Sequence, residues 1–272
     1  MNERRITLAG QDIAFTESAG TGRPVIFVHG NSSSARVWNP LLTGAFGERF
    51  RSLALDLPGH GASSPAENPE ATYALPGYAS VLADFAKELG AEDAVIVGWS
   101  LGGHIALEAA AALPHAAGFV IFGTPPVTGP ADMAEAFLPN PAVAVGFTAD
   151  VDADLAKSYA DSFLAPESTM PTDDLVADIL ATDGAARVNL VASLQAGRFT
   201  DEVEIVTHLK QPIAVLQGAD EQLVSLDYLR RLTIPTLWRG AVQVLPGVGH
   251  APQVETPDEF ADILTQFIDD LA

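Results

Sequence analysis

Short runs of apolar residues recur along the chain at 25–28, 51–55, 94–97, 118–122, 213–216 and 241–245, each bounded by turn residues. Those that are continuously apolar rather than alternating suit strands covered on both faces of a parallel sheet. Between them lie helical patterns at 78–89, 101–113, 226–238 and 257–271. Strand–helix alternation of this kind predicts a doubly wound α/β sheet. Ahead of it, residues 4–10 and 12–19 read as a hairpin around Gly10-Gln11, an antiparallel start. The last helix has a start signal: Thr256 as N-cap, Pro257 at the first helical position and Glu259 completing a capping box.

One segment breaks the rhythm. Residues 125–208 hold helix-like stretches with interspersed Pro and Gly, and no convincing strand. They carry 14 acidic and 3 basic residues, about half of the chain's net charge of −21. The expected organisation is a core domain of residues 1–124 and 209–272, interrupted by a helical cap of residues 125–208 lying over the carboxyl edge of the sheet. The acidic excess also reads as a solvated face.

Charge and composition exclude several function classes. With 14 Lys plus Arg against 35 Asp plus Glu, the surface repels phosphate backbones and anionic lipid, so neither nucleic acid nor membrane is an expected partner. The absence of cysteine excludes disulfides, thiolate zinc sites and a cysteine nucleophile. No metal-ligand cluster is visible, and neither metal nor other cofactor is expected. MNERRITLAGQDIAF lacks the apolar stretch of a signal peptide, and no later run approaches a membrane span. The expectation is a cytoplasmic protein.

The chemistry concentrates at Gly98-Trp99-Ser100-Leu101-Gly102-Gly103, between a strand-like AVIV and a helix-like LGGHIALEAAAAL. A serine alcohol is a poor nucleophile unless it is exposed and given a base. A sharp strand-to-helix turn exposes it, and its close approaches suit flanking glycine. The helix that follows aims amide N–H groups at the reacting centre. A second loop, His29-Gly30-Asn31-Ser32-Ser33-Ser34, follows the run at 25–28. The backbone N–H groups of Asn31 and Leu101 are therefore the candidate oxyanion donors.

Six histidines compete for the role of base. His29, His60, His104, His115 and His208 read better as structural or solvated residues. His250 lies on a loop between a strand-like VQVL and the last helix, and completes the chain order serine, acid, histidine. The orienting acid should come from the loop after the run at 213–216, where Asp220 and Glu221 stand side by side. Spacing does not choose between them.

These residues resemble the α/β-hydrolase superfamily: HGNSSS (29–34), DLPGHG (56–61), GWSLGGHIALE (98–108), GTPPV (123–127) and GHAP (249–252) follow in family order. Within it the chain is most similar to the AidH-type N-acyl-homoserine lactonases, which degrade quorum-sensing signals without a metal. TDGAAR (182–187) and the Asp-Glu pair carry that narrower likeness. The resemblance implies a mostly parallel eight-stranded sheet with helices on both faces and an inserted helical cap. It also implies Glu221 as the acid, with Asp220 in reserve, and Tyr159 in KSYADSF as a substrate contact. Trp99 and Trp38 are further substrate-contact candidates.

The expected substrate is thus a small neutral acylated lactone or ester, opened through an acyl-enzyme on Ser100. The rivals are a carboxylesterase with the same triad and a ligand sensor that keeps a hydrolase pocket. A C–C bond hydrolase acting on anionic dienoates fits less well, because the cap offers only Lys157, Arg187 and Arg198 to hold a carboxylate.

Overall fold

A computed structural model describes residues 1–271. Its centre is one eight-stranded sheet built from β1 (Asn2–Leu8), β2 (Gln11–Glu17), β3 (Gly22–Val28), β4 (Phe50–Leu55), β5 (Val95–Trp99), β6 (Gly118–Phe122), β7 (Ile213–Gly218) and β8 (Gln243–Leu245). The strand order is β1-β2-β4-β3-β5-β6-β7-β8. β1 and β2 run antiparallel to their neighbours, and β4 through β8 form a parallel array. Every residue of β5, β6 and β7 is buried, which is why these strands read as continuous apolar runs.

The opening hairpin turns one residue earlier than expected, through Ala9 and Gly10. Both adopt left-handed backbone, with φ of +48° and +86°, as a tight two-residue connection between twisted strands demands.

Helices relevant to the site follow in chain order: α1 (Leu75–Glu88), α2 (Leu101–Glu108), α3 (Ala153–Asp161), α4 (Asp173–Ala181), α5 (Gly184–Gln195), α6 (Glu202–His208), α7 (Leu226–Arg231) and α8 (Pro257–Asp270). Between β6 and β7 the described chain is helical, with no strand. α7 is much shorter than the expected 226–238 helix: Pro235 disfavours helical backbone at Ile234, and the chain leaves the helix at Leu232. α8 starts with Pro257 in its first turn, but Thr256 forms no side-chain cap; its hydroxyl instead meets the Pro252 carbonyl at 3.5 Å. The capping box is therefore not formed.

Sheet register positions the functional loops. Val28 pairs with Gly98, Trp99 with Phe122, Phe122 with Leu216, and Gly218 with Leu245. The carboxyl ends of five parallel strands thus lie side by side, and the loops leaving them carry Asn31, Ser100, Gly123, Glu221 and His250. This is the edge where an open α/β sheet offers its crevice.

Candidate active site

Ser100 sits between β5 and α2 with φ +53° and ψ −118°, a backbone conformation that a residue bearing a Cβ rarely adopts. The neighbouring strand and helix hold it there. Its amide donates to the Phe122 carbonyl at 2.9 Å, and the Thr124 hydroxyl donates to its carbonyl at 2.8 Å. Close approach explains two glycines of the motif: a Cβ at Gly102 would overlap the Val28 carbonyl, and one at Gly98 would overlap the Gly102 carbonyl. The start of α2 is thereby pressed against the ends of β3 and β5. Leu101 is the first residue of α2, where an amide N–H has no intrahelical acceptor and faces a developing negative charge well.

His250 and Glu221 meet across two loops. His250 Nδ1 lies 2.8 Å from Glu221 Oε2, with both side chains almost fully buried. The second carboxylate oxygen of Glu221 accepts the Leu223 amide at 2.8 Å, which fixes the acid's orientation. Asp220 is exposed at the surface, so of the two adjacent carboxylates only Glu221 reaches the imidazole. With Nδ1 engaged by the carboxylate, Nε2 of His250 is free to accept a proton. That atom is buried and makes no hydrogen bond within the protein.

The imidazole is held on several sides. Trp99 and Phe163 rings each stand 5.8 Å from it, centre to centre, and the backbone at Gly123 leaves no room for a side chain beside it. The histidine loop is tied down by Glu255, which accepts from the Gly249 amide at 2.6 Å and the Ala165 amide at 2.8 Å. Burial raises the Glu255 carboxyl above its ordinary value, opposed by these two amides. Residues of the helical segment reach back to the same loops. Phe163 O accepts from Ala251 N at 2.9 Å, and Leu164 O accepts from Gln222 Nε2 at 2.8 Å.

Ser100, Leu101, Asn31, Tyr159 and His250 all line one cavity of about 390 Å3. Most of its wall is apolar, including Leu75, Val143, Phe147, Leu190, Leu194 and Phe199, and no Lys or Arg lines it. Asn31 is anchored through its side-chain amide, which donates to the Gly146 carbonyl at 2.7 Å. Gly146 also abuts the Tyr159 hydroxyl, so a side chain there would strike both Tyr159 and Asn31. Burial holds the Tyr159 phenol well above its ordinary pKa, keeping it a neutral hydrogen-bonding group.

Two aromatic expectations need correction. Trp99 is fully buried and does not line the cavity; its indole N–H donates to the His250 carbonyl at 2.8 Å. It therefore supports the histidine and is not placed to touch a substrate. Trp38 is also fully buried, packed among Phe27, Phe122 and Phe260 in the core beneath the sheet edge. Its position in a wide aromatic cluster follows from its large apolar area, not from a site role.

Among the basic residues of the helical segment, Arg187 donates to the carbonyls of Thr148, Ala149 and Ile179, Lys157 pairs with Asp161, and Arg198 pairs with Glu70. The site therefore presents no cation to an anionic substrate. Of the histidines, His29 is buried with Nε2 accepting the Leu57 amide at 3.0 Å, and burial pulls its pKa down to about 4. His60 is buried beside it, and burial pulls it down to about 3. His104 departs from the structural reading, because it lines the cavity. Sequence inspection passes over it because its partner Glu202 is 98 positions away. Among the described residues, no group of three or more His, Asp or Glu is arranged to hold a metal, and no helix is long and apolar enough to cross a membrane.

Comparison with known proteins shows the family and the fold. Residues 25–263 match the model of the alpha/beta hydrolase family. A mutant of the N-acyl homoserine lactonase AidH complexed with N-hexanoyl homoserine lactone superposes with a TM-score of 0.95 at 36% identity, over 100% of this chain and 99% of that one. Among curated proteins, a 2-(acetamidomethylene)succinate hydrolase of Mesorhizobium japonicum is 29% identical over 260 residues, 92% of this chain and 89% of its own. A pimeloyl-[acyl-carrier protein] methyl ester esterase of Stenotrophomonas maltophilia is 29% identical over 259 residues, 93% of this chain and 95% of its own.

Proposed function

Because the chain belongs to the alpha/beta hydrolase family, we propose that it is a serine hydrolase that opens the lactone ring of N-acyl homoserine lactones, and so degrades quorum-sensing signals. The observation that carries this reading is the single cavity in which Ser100, His250, Asn31 and Tyr159 converge under an apolar, cation-free wall. Such a wall suits a neutral acylated lactone and disfavours an anionic dienoate. The likeness to AidH supports the same substrate class.

In the proposed reaction, His250 Nε2 takes the Ser100 proton as the serine oxygen attacks the lactone carbonyl. Glu221 holds the imidazole by its other nitrogen and stabilises the imidazolium. The amides of Asn31 and Leu101 receive the tetrahedral oxyanion, an effect of about 3–4 kcal/mol per donor where such donors have been removed. His250 then protonates the ring oxygen as the C–O bond breaks, leaving an ester on Ser100. The released hydroxyl remains tethered to this acyl-enzyme and can re-attack at high effective concentration. Deacylation therefore needs that hydroxyl held aside while water, deprotonated by His250, attacks the ester. Tyr159, a neutral donor in the cavity, is assigned to hold the amide or ring oxygen of the substrate. The helical segment between β6 and β7 serves as the cap that excludes bulk water from this step.

The test compares turnover of N-hexanoyl homoserine lactone with that of a linear ester of matched chain length, by titration of the released acid. Lactone turnover at least tenfold faster is the expected result. Faster ester turnover would make the chain a carboxylesterase, and tight lactone binding without turnover would make it a sensor.

A further inference from the structure

A second imidazole–carboxylate pair faces the same cavity, and the proposed reaction does not use it. His104 lies on α2, four residues after Ser100, with 15% of its side chain exposed. Its Nδ1 is 2.7 Å from Oε1 of Glu202, the first residue of α6, whose side chain is fully buried. The other oxygen of Glu202 accepts the Val127 amide at 3.0 Å, and the Glu202 amide donates back to the Val127 carbonyl at 3.0 Å. Around the pair the cavity wall is apolar: Val127, Phe137 and Phe199 line it, and the Phe137 ring centre stands 6.4 Å from that of His104.

This contact favours one tautomer of the neutral ring. Both oxygens of a carboxylate only accept, so the ring N–H sits on Nδ1, and Nε2 of the neutral ring keeps a lone pair. A lone pair set among Val127, Phe137 and Phe199 in a mostly apolar wall selects a ligand that carries a hydrogen-bond donor there.

Ser100 and His104 are four residues apart, about 6 Å of helical backbone rise, and both line the cavity. In an acylated homoserine lactone, one amide unit of about 3.8 Å joins the ring carbon to the second acyl carbon, and one further bond at each end brings the span from the attacked carbonyl to the third acyl carbon to roughly 6 Å. Resting on the lactonase reading, we infer that His104, oriented by Glu202, is a specificity residue that accepts a hydrogen bond from a hydroxyl on the third carbon of the acyl chain. A ketone at that carbon has no proton to give, and it meets the lone pair unfavourably.

The experiment measures kcat/KM on N-hexanoyl, N-(3-hydroxyhexanoyl) and N-(3-oxohexanoyl) homoserine lactones. The unaltered protein should favour the hydroxylated chain over the ketone by about tenfold, and this comparison needs no variant. Glu202→Gln is the discriminating change. The Val127 N–H requires an acceptor, so the new amide must turn its oxygen to Val127 and its NH2 to His104. Nδ1 then accepts, Nε2 carries the proton, and the ketone should gain on the hydroxylated chain by about tenfold. His104→Leu should remove both preferences. Equal treatment of the three lactones by the unaltered protein overturns the inference. So does a loss in both variants that scales all three rates alike, since that is the signature of a merely structural stitch between α2 and α6. Hydrolysis of linear esters with none of the three lactones opened overturns the lactone reading, and this inference with it.

Discussion

The sheet and the helical segment between β6 and β7 divide the labour differently. In the proposed reaction the sheet edge supplies the reacting groups, each on a short loop whose place is set by strand register: Val28 beside Gly98, and Trp99 beside Phe122. The helical segment supplies Tyr159, much of the apolar wall, and carbonyls that grip the loops of Glu221 and His250. Its own order rests on polar side chains turned inward. Arg187 gathers three carbonyls, and Asp178 joins Ser34 and Arg36 of the loop after β3. Chemistry placed on a rigid ladder tolerates variation in the segment above it; selectivity placed on that segment does not share this protection.

If this division holds, the largest losses come from the sheet edge. Ser100→Ala and His250→Ala should each lower kcat for the lactone by four orders of magnitude or more, with thermal unfolding little changed. Glu221→Ala should cost about three to four orders of magnitude, and Asp220→Ala less than about threefold. The reverse ranking in steady-state kinetics would move the acid by one residue.

In the helical segment the effects should be smaller and of another kind. Arg187→Met leaves three carbonyls without their donor, and should lower the unfolding free energy by about 2–3 kcal/mol in urea titrations. Tyr159→Phe should lower kcat/KM for the lactone about tenfold, and for a matched linear ester by less. Equal losses on both substrates would remove the lactone-specific role.

The smallest effect returns to the core. His60 has its pKa pulled from 6.5 to about 3, so between those values the unfolded chain binds more protons than the folded one. Stability is thereby lost as pH falls below about 6.5, by up to about 1.4 kcal/mol per pH unit for this ring. Unfolding free energies at pH 7 and pH 5 should show the unaltered protein losing more than His60→Leu. Parallel losses would contradict the burial argument.

The same division governs what could be read from the amino acids alone. Strands with both faces covered announce themselves as unbroken apolar runs, and β5, β6 and β7 lie where those runs stand. The serine turn is legible because its backbone requires glycine at fixed offsets. Trp38 and Trp99 mislead, because an aromatic beside a motif fills a core as readily as it lines a cavity. His104 is missed for another reason: a polar residue acquires meaning from its partner, and Glu202 becomes that partner only through folding. The choice of Glu221 over Asp220 likewise depends on a loop conformation, in which Glu221 stands 2.8 Å from His250.

One measurement reaches the centre of the account. An alkyl fluorophosphonate loses fluoride far faster to a serine oxygen made nucleophilic by a neighbouring base than to an ordinary hydroxyl. Peptide mass mapping should find a single adduct per chain, on Ser100, formed at the rate at which lactone turnover disappears and slowed by N-hexanoyl homoserine lactone. Stoichiometric labelling of another residue, or undiminished turnover by fully labelled protein, would contradict the claim that Ser100 and His250 act as one unit.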